Sequence, residues 1–339
     1  MRIFIGLATA LLMLAGAGIA PARADNHENA AQDAATAIGG AGREIFIGAG
    51  AVSGVYFPAA GAICRVVAAR SPGSRCFVES NANSSANIEK LADGLLDMAI
   101  VQSDWLMHAA RGTNLFHANG PDESLRAVMA LHAEPLTLIA RAGANIAGPA
   151  DLEGKRISIG PAFTYQRVLM KALLRAYDID TDDLALVLEI TAMEQFSALC
   201  LGEIDAAAIV TAHPSPALAE AMQRCELKLV PVAGDAVDEL LESRPDLASA
   251  AIAGGLYTGA PDDVPAFGLR AVLATTVNVD DGLVRQVTEA ILDSMAEFTG
   301  QHPVLAGVGA GTMISAGISL PLHPGAEAAY RARGLLTAE

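Results

Sequence analysis

The sequence predicts an α/β protein of two lobes that close like a clamshell, and three observations carry that reading. Composition is the first: 52% apolar residues with 18% charged suffice to bury a core, and 32 glycines with only 4% aromatics suit packed helices and strands joined by tight turns. Length is the second, since 339 residues exceed one small module and indicate two domains. The third is an internal repeat of strand, helix, strand, helix, strand. Its landmarks Gly48 and Gly160, Glu79 and Glu189, and Gly94 and Gly202 stand 112, 110 and 108 residues apart, a drift that loops of unequal length would produce.

At the N-terminus, Arg2 precedes an apolar run from Ile3 to Ile19, and Ala22-Arg23-Ala24 has the small-x-small pattern of a signal-peptidase site. Residues 1–24 are therefore expected to be a removed secretion signal. The strongly apolar stretch Ile3 to Ala15 is shorter than the ~20 residues of a spanning helix. The first cysteine, Cys64, is far from the cut, which argues against a lipid anchor. Residues 25–42, rich in Ala, Gly and Asp, are expected to be a flexible leader.

The first repeat opens with Ile45-Phe46-Ile47-Gly48, an alternating strand closed by glycine, and the second with Ile157-Ser158-Ile159-Gly160. Helical stretches follow over 58–70 and 165–177, then short strands Phe77-Val78-Glu79 and Val187-Leu188-Glu189. A second helix in each ends on a glycine turn, and the third strands lie within Gly94 to Ile100 and Gly202 to Ala208. Parallel strands require such crossovers. Two connections between the lobes are expected as strands, Pro135 to Ala140 outward and Phe267 to Leu273 in return, a paired crossing that makes a hinge. Asp281 to Thr299 has the apolar spacing of one helix, packed back on the first lobe. The expected lobes are 43–135 with 275–339, and 136–274.

A net charge of −16, from 22 basic and 38 acidic residues, excludes a phosphate-backbone binder, so nucleic acid is not an expected partner. Four cysteines in a secreted chain allow three pairings; short loop closure favours Cys64 with Cys76 and Cys200 with Cys225. The sequence has no Cys-x-x-Cys, so no metal site is expected.

In open α/β sheets ligands bind beyond the carboxyl ends of strands, at helix N-termini. That places Ser53, Gly54 and Tyr56 at the first turn as candidate ligand contacts, with Ser84 at the start of the second helix. Gln102 and Ser103 follow an apolar strand and are expected to face the crevice. In the second lobe the corresponding candidates are Thr164, Tyr165 and Gln166, joined by His213 after a strand and Tyr257 as a hinge-side wall. Asp97 and Asp205 read as turn residues, Glu194 as an acceptor for a substrate ammonium or, more simply, a solvated or capping carboxylate, and Arg167 as either a carboxylate partner or a surface pair. A ligand with two carboxylates would require some arginine in the cleft.

Several segments in order resemble the TAXI family of extracytoplasmic solute receptors, which serve TRAP transporters. They are Ile47 to Pro58, Val78-Glu79-Ser80, Val101 to Trp105, His132-Ala133-Glu134-Pro135, Leu152 to Arg156, His213-Pro214-Ser215, Tyr257-Thr258-Gly259 and Leu322 to Ala326. The resemblance implies a type II-like periplasmic binding-protein clamshell with hinge strands, acting in the periplasm and without catalysis. It also implies a small anionic or zwitterionic solute similar to glutamate or 2-oxoglutarate, no cofactor, and membrane permease subunits as partners of a monomeric receptor. Where that family usually has Gly-Ser-Gly before Gln-Arg, this chain has Phe163-Thr164-Tyr165 before Gln166-Arg167, which is expected to narrow the pocket. Two rival readings are a secreted sensor that signals to a kinase and a dinucleotide-dependent oxidoreductase. The latter rests on Gly48-x-Gly50-x-x-x-Gly54, whose spacing departs from G-x-G-x-x-G.

Overall fold

The computed structural model describes residues 43–162 and 164–337. The expected signal segment 1–24, the leader 25–42 and Phe163 lie outside the described residues.

The first repeat forms β1 (Glu44–Ala49), α1 (Tyr56–Arg70), β2 (Arg75–Ser80), α2 (Ser84–Ala92) and β3 (Met98–Gln102), followed by α3 (Ser103–Arg111) and a long strand β4 (Leu125–Arg141). The second forms β5 (Arg156–Ser158), α4 (Tyr165–Ala176), β6 (Leu186–Leu188), α5 (Ala192–Leu201) and β7 (Ala206–Val210). In each, the opening strand pairs in parallel with the other two, β1 between β2 and β3, and β5 between β6 and β7. The chain continues through α6 (Pro216–Arg224), β8 (Leu227–Val230), α7 (Asp235–Ser243), β9 (Ala248–Ile252) and β10 (Val264–Thr276). It ends with α8 (Asp281–Leu292), α9 (Met295–Gly300), α10 (Ala310–Met313) and α11 (Pro324–Ala332).

The two three-stranded units meet through β4 and β10, giving the order β2-β1-β3-β10-β4-β7-β5-β6, with β8 on β4 and β9 on β10. The crossing strands are antiparallel to each other, to β3 and to β7. Both are longer than the sequence indicated. They are buried on both faces along most of their length, so apolar alternation does not mark their ends. Val128, Met129, Leu131, Ala271 and Leu273 join one core, with α1, α8 and α11, whereas Leu136, Leu138, Phe267 and Leu269 join another. Between these two groups Pro135 pairs with Gly268. A Cβ on Gly268 would stand 2.4 Å from the Glu134 carbonyl oxygen and 2.5 Å from the Pro135 Cα, so only glycine permits this approach.

Side-chain caps set the helix starts: Asn83 for α2, Thr164 for α4, Thr191 for α5, Ser215 for α6 and Asp280 for α8. Glu194 completes a reciprocal capping box with Thr191, the role its spacing indicated. The single helix expected over Asp281 to Thr299 is instead α8 and α9. The break at Asp293 and Ser294 is held from α1 by Arg70, whose Nη2 donates to the Asp293 carbonyl at 2.6 Å and whose Nε donates to Ser294 Oγ at 2.9 Å. Both expected disulfides are present, Cys64–Cys76 with Cα atoms 5.1 Å apart and Cys200–Cys225 with Cα atoms 5.4 Å apart. No described helix is long and apolar enough to cross a membrane.

Candidate functional site

Three of the candidate residues converge although they come from separate segments. Tyr56 opens α1, Ser84 opens α2 and Gln102 ends β3, and all three line a cavity of 220 Å³ with Glu134 of β4. Parallel strands bring this about, since the carboxyl ends of β1 and β3 lie side by side. Ser84 Oγ accepts the Gln102 backbone N–H at 3.1 Å, and the Gln102 amide donates to Glu134 Oε2 at 2.5 Å.

Glu134 is buried, and His132, two residues back on the same face of β4, places Nε2 3.6 Å from Glu134 Oε1. Burial by itself would raise the Glu134 carboxyl. The facing His132 ring, the Gln102 amide and the Tyr56 hydroxyl outweigh it and hold the group below its ordinary value. The Tyr56 hydroxyl is buried without a hydrogen bond of ordinary geometry among the described residues. Burial, and then the neighbouring Glu134 charge, push it well above the usual tyrosine value.

Asp104, in the first turn of α3, is 3% exposed, and its Oδ1 has no hydrogen-bond partner among the described residues. Burial raises its carboxyl to about 7 against the Trp105 N–H, which lowers it, and the Asp246 and Glu134 charges add to the rise. Beside it lies a closed ion-pair cluster. Arg244 grips Asp246 through both oxygens, Nε to Oδ1 at 2.8 Å and Nη2 to Oδ2 at 2.6 Å. Tyr165 donates its hydroxyl to Asp246 Oδ2 at 2.6 Å and accepts from Arg244.

Ser103 does not face the crevice as expected; it is fully buried. Its Oγ donates to the Asp246 carbonyl at 2.6 Å and accepts the Arg270 backbone N–H at 3.1 Å, so it fastens α3 to the segment before β9 and to β10. Thr164 spends its hydroxyl on the α4 cap and the Pro161 carbonyl, at 2.8 Å from the latter, and Gln166 donates to the Ala208 carbonyl at 2.5 Å. Ser53 and Gly54 are exposed in the turn before α1, closed by a 2.8 Å bond from Gly54 N to Ala51 O. Arg167 pairs with Glu189 rather than facing inward. Asp97 accepts the Phe46 N–H at 2.8 Å, and Asp205 holds Arg156, the structural roles expected of them.

His213 and Tyr257 form a relay. The Ser215 N–H donates to the Tyr257 oxygen at 2.6 Å, and that hydroxyl lies 2.5 Å from His213 Nδ1. Nε2 on the other side of the ring is 2.8 Å from Thr137 Oγ1. Burial lowers the His213 ring to about 4, so at neutral pH it is uncharged, with Tyr257 donating to Nδ1 and Nε2–H donating to Thr137. His213 also lines a second cavity of 420 Å³, which has His132 and Arg270 on its walls.

The residues absent from the sequence-derived set are Asp104, His132, Glu134, Arg244, Asp246 and Arg270. His132, Glu134 and Arg270 each interrupt an otherwise apolar strand, and a charge within a buried run was the available signal. Among the described residues there is no group of three His, Cys, Asp or Glu side chains placed to hold a metal.

Comparison with known proteins adds two findings. The model of the NMT1-like family matches residues 47–334. A TctC solute binding protein from Polaromonas superposes with a TM-score of 0.55 at 13% identity, over 76% of this chain and 87% of that one. Its likeness extends to the fold, a mixed α/β sheet of two-lobed type. Two others overlap less. The aliphatic sulphonate binding protein SsuA of Escherichia coli has a TM-score of 0.47 at 14% identity, covering 78% of each chain. Substrate binding domain 2 of Lactococcus lactis GlnP has 0.46 at 13%, over 78% of this chain and 94% of that one.

Proposed function

Since the chain belongs to the NMT1-like family, we propose that it is a solute receptor rather than an enzyme: it captures a small anionic or zwitterionic molecule between two lobes and hands it to a membrane transporter. The observation that carries this reading is the convergence of Tyr56, Ser84 and Gln102 on one cavity over the buried Glu134. A solute-binding protein of the same fold, from Polaromonas, supports it. The finer assignment follows the TAXI-like segments: a periplasmic receptor, delivered by residues 1–24, serving TRAP permease subunits, with a ligand similar to glutamate or 2-oxoglutarate.

The lobes we propose are 43–135 with 275–339, and 136–274. Leu269 of β10 packs in one core and Ala271 in the other, so β10 passes between them near Arg270, a few residues before the boundary at 274. Tyr56, Ser84 and Gln102 present one wall to the solute. A carboxylate would take donors from Tyr56 and the amide of Gln102, and an ammonium group would pair with Glu134.

The test is calorimetric titration of the mature chain, residues 25–339, with glutamate, 2-oxoglutarate and other small carboxylates and amino acids. Tyr56→Phe and Gln102→Ala should each weaken the solute that binds by about tenfold, the worth of one hydrogen bond to a charged group. Unchanged affinity in both variants, or no binding by any of these solutes, would overturn the reading.

A further inference from the structure

Arg270 sits on β10 where the two cores meet, and it is nine-tenths buried, at 9% exposure. Nη2 donates to the Ser249 carbonyl at 3.0 Å, while Nε has no hydrogen-bond partner, and among the described residues no carboxylate pairs with the guanidinium. Arg244 shows the ordinary arrangement, with Nε and Nη2 both on Asp246. A guanidinium keeps its charge when buried, so a desolvated arginine without a counter-ion is an incomplete pair. His132, on the same cavity, is 3% exposed and faces Glu134, with Nε2 3.6 Å from Oε1.

The rest of that 420 Å³ cavity is apolar, with Ala250, Ala251, Leu256, Pro303 and Val304 on its walls. Its size falls in the range of small-molecule sites. His213 adds no free donor, because both its nitrogens are engaged by Tyr257 and Thr137. The Arg270 guanidinium can thus complete a single anionic group, and a second carboxylate would meet alanine, proline, leucine and valine without a donor.

We propose that this cavity seats an aliphatic monocarboxylate, its carboxylate on Arg270 and its hydrocarbon chain against Leu256 and Val304. The proposal rests on the reading of the chain as a solute receptor and names the solute class.

The experiment is titration of the mature chain with hexanoate, 1-hexanol, glutamate and 2-oxoglutarate, on the natural sequence and on Arg270→Gln and Arg270→Lys. Hexanoate should bind the natural chain at least 100-fold more tightly than 1-hexanol, a comparison that needs no variant to fold. Arg270→Gln should bring the two ligands within a few-fold of each other, and Arg270→Lys should retain part of the preference. Leu256→Glu should weaken hexanoate at least tenfold. Absence of hexanoate binding, or hexanoate binding that Arg270→Gln leaves unchanged, would overturn the proposal. Binding of glutamate or 2-oxoglutarate with none of hexanoate would overturn it while leaving the receptor reading in place.

Discussion

Asp104 and His213 carry opposite pH dependences, both caused by burial. The folded protein keeps the Asp104 proton up to about pH 7, whereas an unfolded chain releases it near 3.8. Stability contributed by this group therefore falls as pH rises between those values, by about 4 kcal/mol in total, and is level above them. For His213 the folded value is about 4 against 6.5 in the unfolded chain, so stability falls as pH drops from 6.5 towards 4. The two partly cancel in the natural chain, and a variant is needed to separate them. Asp104→Asn should melt higher than the natural chain at pH 8, with the difference closing towards pH 4. Thermal melts across that range check it, and a pH-independent difference would mean that Asp104 is not held protonated.

At the scale of elements, the crossing of β4 and β10 depends on one missing side chain. Gly268→Ala would drive a Cβ into backbone atoms of Glu134 and Pro135, which cannot yield as a flexible side chain can. Overpacking of this kind costs about 1–3 kcal/mol, and the melting temperature should fall by roughly 2 °C or more. The disulfides act on separate elements. Cys64–Cys76 ties α1 to β2, and Cys200–Cys225 ties the end of α5 to the residue after α6. With the paired positions 12 and 25 residues apart in sequence, chain-entropy arguments give each about 3 kcal/mol. Melts of Cys64→Ala/Cys76→Ala and Cys200→Ala/Cys225→Ala should both be lowered, and an unchanged midpoint in either would show that bridge to be dispensable.

For the whole molecule, a two-lobed sheet joined by two strands predicts closure on ligand, with contacts from both sides favouring the shut form. Ser103 and Asp246 fasten α3 to the segment before β9 through the 2.6 Å bond between them. Motion must therefore leave that contact intact or break it. Small-angle scattering of the mature chain should show a smaller radius of gyration at saturating ligand, and Ser103→Ala should enlarge the radius of the ligand-free form. An unchanged radius in the first comparison would argue against a hinge.

The amino-acid sequence by itself determined the repeated strand and helix order, both disulfides and the cap at Glu194. Each of these depends on neighbours within a few turns of chain, where periodicity, loop closure and side-chain reach are short-range. It also marked Tyr56, Ser84 and Gln102, because the carboxyl ends of parallel strands are where such folds gather polar groups. Only the tertiary structure decided that Ser103 is a buried tie, that Asp281 to Thr299 is broken by Arg70, and that Arg270, Asp104 and Glu134 share one region. Those facts rest on partners from 32 to more than 220 residues away. A charge in an apolar strand is visible in sequence, but whether it meets a counter-ion is settled by which strand folds beside it.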